Sequence, residues 1–95
     1  MPERHLVVVD PAGLHARPAA RFVQIANRFA SRIVIRQADR EADAKSLIAV
    51  LGLTVRPASV ITLVAEGADA DAALTALIEE LTPYVTPVPS PGSVA

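Results

Sequence analysis

The stretch Gly13-Leu14-His15-Ala16-Arg17-Pro18-Ala19 holds the residues of this chain best suited to chemistry. A neutral imidazole is a competent nucleophile toward phosphoryl groups near pH 7. His15 stands where a helix should begin. The first backbone N–H groups of a helix have no carbonyl partner and carry the positive end of its dipole. Ala16 and Arg17 therefore offer backbone donors, and Arg17 adds a guanidinium suited to phosphate oxygens. A phosphoryl group accepted on His15 would meet donors, dipole and positive charge together. Taken singly, the same residues have plainer readings: a lone His at a helix start is commonly a surface cap, and Pro18 follows from helix geometry.

The elements that must hold this stretch follow from hydrophobic periodicity. Leu6–Val9 is a short apolar run ended by Asp10-Pro11-Ala12-Gly13, a strand followed by a turn. Residues 16–30 read as a helix, with Ala19, Phe22, Val23, Ala26 and Ala30 on one side and Arg17, Arg21, Gln24 and Arg28 on the other. Arg32–Arg36 is a second strand, Gln37–Arg40 a polar turn, and Glu41–Ala44 a weak third strand with Ala42 and Ala44 covered. Ser46 is a favoured N-cap for a short helix over Leu47–Leu51. Ser59–Glu66 is the last strand, with Ile61, Leu63 and Ala65 facing one way. Gly67 turns the chain, Asp69 can cap, and Leu74, Leu77, Ile78 and Leu81 mark a final amphipathic helix.

The order β-α-β-β-α-β-α is that of an α+β, two-layer open-faced sandwich: a four-stranded antiparallel sheet with three helices on one face. A domain over residues 1–84 is expected. From Thr82 the composition changes, and Pro83, Pro87, Pro89 and Pro91 with Ser and Gly imply a disordered tail over 85–95.

Composition narrows the function. At 95 residues the chain is one domain. A formal charge of −1 is wrong for a dedicated nucleic-acid binder, so no nucleic-acid partner is expected. The charge is unevenly spread: residues 1–45 sum to +3 and residues 46–95 to −4, so the positive half carries the His15 motif. Cysteine is absent, which excludes disulfides, thiolate metal sites and Cys nucleophiles. The core must be built from Ala, Val, Leu and Ile, since the aromatics are Phe22, Phe29 and Tyr84 alone. No apolar run approaches the roughly 18 residues of a membrane span and no signal peptide opens the chain, so a soluble cytoplasmic protein without membrane insertion is expected.

The motif around His15 resembles the active-site signature of the histidine-containing phosphocarrier family (HPr) of the bacterial phosphoenolpyruvate:sugar phosphotransferase system. A second segment, Lys45-Ser46-Leu47-Ile48-Ala49-Val50-Leu51, is similar to that family's regulatory-serine segment. The resemblance covers residues 4–82. It implies that His15 accepts the phosphoryl group through Nδ1, that Arg17 holds its oxygens and that Pro18 is structural. It implies a carrier that is a substrate of enzymes rather than an independent catalyst, with no metal or organic cofactor. The implied partners are enzyme I as donor and the A-type components of sugar transporters as acceptors. Ser46 would be the target of an HPr kinase/phosphorylase, with a transcription regulator as a further partner. Leu47, Ile48 and Leu51 would form an apolar docking patch, rimmed by Arg21, Gln24 and Arg28. A monomer is expected. Two other readings stand beside this one: a specialised carrier for nitrogen signalling or a dihydroxyacetone kinase, and a mainly regulatory binding module controlled by Ser46.

Two departures from the family pattern stand out. Ala12 lies where relatives commonly carry Asn, Ser or Thr, which removes a side-chain hydrogen bond near the imidazole. Thr54 lies where Gly is common, so the end of the second helix is expected to be built differently. His5 has no motif context and reads as a surface residue at a strand start.

Overall fold

The computed structural model describes residues 2–11, 13 and 15–87. Its elements are β1 (Glu3–Val8), α1 (Ala16–Ala26), β2 (Arg32–Gln37), β3 (Arg40–Asp43), α2 (Leu47–Gly52), β4 (Val60–Glu66), α3 (Ala70–Leu81) and β5 (Val85–Pro87). The strands form one sheet in the order β3-β2-β4-β1-β5, every neighbouring pair antiparallel. Along each strand alternate residues go to opposite faces. Leu6 and Val8, Ile33 and Ile35, and Ile61, Leu63 and Ala65 thereby share one buried face. They join Ala19, Phe22 and Ala26 of α1, Val50 of α2, and Ala73, Leu74, Leu77 and Leu81 of α3 in a single core. The other face carries cross-strand polar pairs such as Arg32 opposite Glu66 and Arg36 opposite Glu41.

The α+β sandwich stands as expected, with one correction: the sheet has five strands rather than four. Prolines from Pro83 onward read as a break, yet β5 pairs Val85 with Val8, Thr86 with Val7 and Pro87 with Leu6. Strand parity explains why proline is tolerated. The N–H of Val9 donates to the Tyr84 carbonyl at 2.8 Å, whereas the N–H of Val8 donates the other way, to Ser59, at 2.9 Å. Leu6 has the parity of Val8, so Pro87 lies opposite a residue whose hydrogen bonds go to β4, and its missing N–H costs the ladder nothing. The expected boundary at residue 84 accordingly gives way to ordered structure through Pro87, and residues 88–95 of the expected tail lie outside the described residues.

The first helix ends at Ala26 rather than at residue 30. Asn27 stops it: its side-chain amide donates to the carbonyl of Val23 at 2.9 Å and to that of Lys45 at 3.1 Å. The N–H groups of Arg28 and Phe29 then turn back to Ile25 and Ala26 in a tighter winding. β1 begins at Glu3, earlier than its apolar run; Glu3 and His5 lie on the face opposite Leu6 and Val8, and His5 Nδ1 lies 3.0 Å from Thr62 Oγ1 across the pair with β4.

Asp69 precedes α3 but its side chain makes no capping bond. It reaches across to the start of β2, accepting from the N–H groups of Ala30 and Ser31, each at 2.9 Å, and from the Ser31 hydroxyl. The Ser31 hydroxyl first, then the Ala30 N–H, hold its carboxyl below the usual aspartate value of 3.8. The stability that follows from a depressed carboxyl pKa is present above the unfolded value and is lost as pH falls through the folded one. Wild type should therefore melt above Asp69→Asn at pH 7, and the gap should close below about pH 4. Thermal melts of both proteins across that range check this; a gap independent of pH would refute it.

No helix among the described residues is long and apolar enough to cross a membrane.

Candidate functional site

His15 is the N-cap residue of α1, in extended conformation with φ −90° and ψ −172°. Its carbonyl accepts from the N–H of Ala19 at 3.0 Å, and its side chain makes no capping bond. The imidazole is exposed, as are Ala16 and Arg17. Pro18 has no N–H and is buried, so the donors left at this end of α1 are those of Ala16 and Arg17, and no acceptor among the described residues meets them. This end of the helix brings together an exposed imidazole, two backbone donors that meet no acceptor among the described residues, and a guanidinium.

What fixes His15 is the turn before it. Gly13 has φ +69°, and its N–H donates to the Asp10 carbonyl at 2.9 Å. A Cβ there would lie 2.4 Å from the Val55 carbonyl oxygen and 3.1 Å from Arg56 Cα. The turn is thus seated against the segment that follows α2. Tyr84 stands beside His15, a neighbour the sequence did not mark. Its ring meets the His15 ring edge to face, with centroids 6.5 Å apart and planes at 89°. Its carbonyl accepts from Val9 at 2.8 Å and from Asp10 at 3.2 Å, tying the end of β1 to the start of β5. The available signal was weak: Tyr84 is one of only three aromatics, beyond the composition change at Thr82.

Ser46 caps α2 as expected, its Oγ accepting from the Ala49 N–H at 3.3 Å. Val50 is buried, whereas Leu47, Ile48 and Leu51 are 37%, 85% and 39% exposed. An apolar patch on so short a helix is more than the core requires. Lys45, beside Ser46, is bonded to the far end of α1: its carbonyl accepts from Asn27, and its Nζ donates to the Phe29 carbonyl at 2.7 Å. Val55, beyond the other end of α2, meets Gly13. α2 therefore runs alongside α1 in the opposite sense, which places Ser46 and His15 about a helix length apart, roughly 16 Å. Of the expected rim, Gln24 and Arg28 are exposed, and Arg21 is exposed with an ion pair to Glu80 at 3.5 Å. Among the described residues no cluster of His, Cys, Asp or Glu could hold a metal ion.

Thr54 is a departure that the structure makes legible. It has φ +53°, the left-handed region, directly after the Leu53 C-cap of α2. A β-branched residue there is strained, and Gly is the usual choice after a helix. Thr54→Gly should stabilise the fold by about 1 kcal/mol, the released strain exceeding the extra unfolded-state entropy of Gly. Chemical denaturation checks this; a loss of stability would refute it.

Comparison with known proteins agrees with this geometry. The family model described as "PTS HPr component phosphorylation site" matches residues 2–82. The chain is 43% identical over 82 residues to the phosphocarrier protein HPr of Lysinibacillus sphaericus, covering 86% of this chain and 93% of that protein. It is 46% identical over 82 residues to the HPr of Haloferax volcanii, covering 84% and 92% respectively. Among solved structures, the histidine-containing phosphocarrier protein of a mycoplasma superposes with a TM-score of 0.84 at 30% identity, over 86% of this chain and 93% of that one.

Proposed function

The chain belongs to the HPr family of phosphocarrier proteins of the phosphotransferase system, and from that premise we propose that it takes a phosphoryl group from phosphorylated enzyme I onto His15 and passes it to the A-type components of sugar transporters. The observation that carries this reading is the exposed His15 side chain, making no capping bond, beside the N–H groups of Ala16 and Arg17, which meet no acceptor among the described residues. When the imidazole attacks the phosphorus of the donor phosphohistidine, the P–N bond to the donor breaks as the new P–N bond forms. Charge on the three transferring oxygens is met by Arg17, the two N–H groups and the helix dipole. No metal or organic cofactor has a part on the carrier side. The carrier works as a cytoplasmic monomer, visiting donor and acceptor in turn through the exposed Leu47, Ile48 and Leu51 patch.

Incubation with enzyme I, Mg²⁺ and phosphoenolpyruvate should add one phosphate per chain, labile in acid and stable in alkali, as a phosphoramidate is. An acid-stable label, or none, would refute the assignment.

Ser46 is the regulatory position of this reading, the substrate of an HPr kinase/phosphorylase whose product binds a transcription regulator. A phosphate of about −2 at the start of α2 would face an acidic partner next to Leu47. About 16 Å from His15, it acts on docking rather than on the imidazole. Ser46→Asp keeps a capping oxygen and adds only charge. Its KM as a substrate of enzyme I should rise about tenfold with kcat little changed, and high salt should blunt the effect. A fall in kcat alone would contradict it.

A further inference from the structure

We propose that Arg40 and Arg56 form an anion-binding cleft that receives a carboxylate side chain of the protein that phosphorylates His15, an inference that rests on the phosphocarrier reading. The cleft lies between the β2–β3 turn and the segment following α2, lined by Gln37, Arg40, Leu53, Thr54, Arg56 and Ser59. No acidic side chain lines it, and neither arginine is ion-paired with a described acidic residue. Arg21 and Arg36, by contrast, are paired with Glu80 and Glu41. The Arg40 guanidinium donates to the Gly52 carbonyl at 2.8 Å, which anchors it at the C-terminal end of α2 with further N–H groups to spare. Arg56 is the sole basic residue after Lys45 in a half of the chain that is otherwise acidic. Two guanidinium groups sharing one polar cleft without a counter-charge repel each other, and an entering carboxylate relieves that repulsion while accepting hydrogen bonds from both.

Position selects the occupant. Leu53 and Thr54 continue directly from α2, whose exposed Leu47, Ile48 and Leu51 form the docking patch. On its other side the same segment bears the Gly13 turn, with Arg56 Cα in contact range of that glycine and His15 two residues on. A protein seated on α2 with its reactive group at His15 therefore reaches the mouth of the cleft. Its carboxylate arrives already held by the rest of the interface, which a free anion does not.

The test is steady-state phosphorylation of the full chain by enzyme I, comparing wild type with the double variant Arg40→Gln/Arg56→Gln. KM should rise about fivefold at low ionic strength with kcat within about twofold, and the difference should vanish near 0.5 M salt. Arg40→Lys/Arg56→Lys, which keeps both positive charges, should hold KM near the wild-type value, while the salt dependence of the Gln variant separates a charge effect from a merely structural role of the Arg40–Gly52 bond. An unchanged KM in the Gln variant, with wild type labelled normally, overturns the cleft and leaves the carrier reading standing. Absence of label in wild type overturns both. Saturable binding of inorganic phosphate to the two guanidinium groups, followed by NMR, with KM unaffected by the Gln substitutions, assigns the cleft to a small anion and also overturns the proposal.

Discussion

With His15 replaced by Ala, phosphoenolpyruvate-dependent labelling should fall to background while the protein stays folded. The loss is complete because no other described side chain stands free at the start of α1 with the same donors around it. The fold survives because the imidazole is exposed and its one ring contact, with Tyr84, is worth about 1 kcal/mol. Arg17→Ala separates the nucleophile from its surroundings: label still appears, slowed roughly tenfold to a hundredfold, since the two backbone donors remain when the guanidinium is gone. Mass spectrometry of the intact chain with acid and alkali stability checks the first variant, and single-turnover rates the second. Normal labelling of His15→Ala would place the phosphoryl group elsewhere and reduce the motif to a helix cap.

Gly13→Ala should damage fold and function together through a single added methyl. The left-handed φ of +69° costs an alanine about 1 kcal/mol, and the new Cβ would press to 2.4 Å against the Val55 carbonyl oxygen. That neighbour is backbone and cannot swing aside, so either the turn or the segment after α2 must move. A total of about 3 kcal/mol is expected, on the order of 15 °C in melting temperature for a domain of this size. The damage also reaches function, because displaced backbone at Gly13 moves His15 relative to the Ala16 and Arg17 donors. Labelling should slow even at temperatures where the variant remains folded. Wild-type melting and labelling in Gly13→Ala would show that the turn is not seated as described.

What the sequence disclosed and what it hid divide along physical lines. The covered face of α1, the Ser46 cap and the alternation of Ile61, Leu63 and Ala65 were legible because each depends on local spacing. The motif at His15 was legible because a helix start advertises itself through Gly13 and Pro18. Three features escaped because their causes lie far away in the chain. The end of α1 at Ala26 is set by Asn27 reaching the Lys45 carbonyl. Asp69 abandons its capping role for the Ala30 and Ser31 donors. Val85–Pro87 becomes a strand because the parity of β1 leaves no demand for the missing proline N–H. Tyr84 followed the same fate as β5: its place against His15 exists only once the last strand is laid beside the first.

That last strand also dictates when the molecule can become itself. β1 is flanked by β4 and β5 alone, both contributed by the second half of the chain. As the polypeptide leaves the ribosome, β2 and β3 can close their short hairpin early, but β1 must wait for β4 and finally for Val85 to emerge. Closing so long a loop is entropically slow, and it falls at the end. His15 is thus made early and completed late, and a nascent chain stalled before Tyr84 would carry the whole motif without the ring that stands beside it.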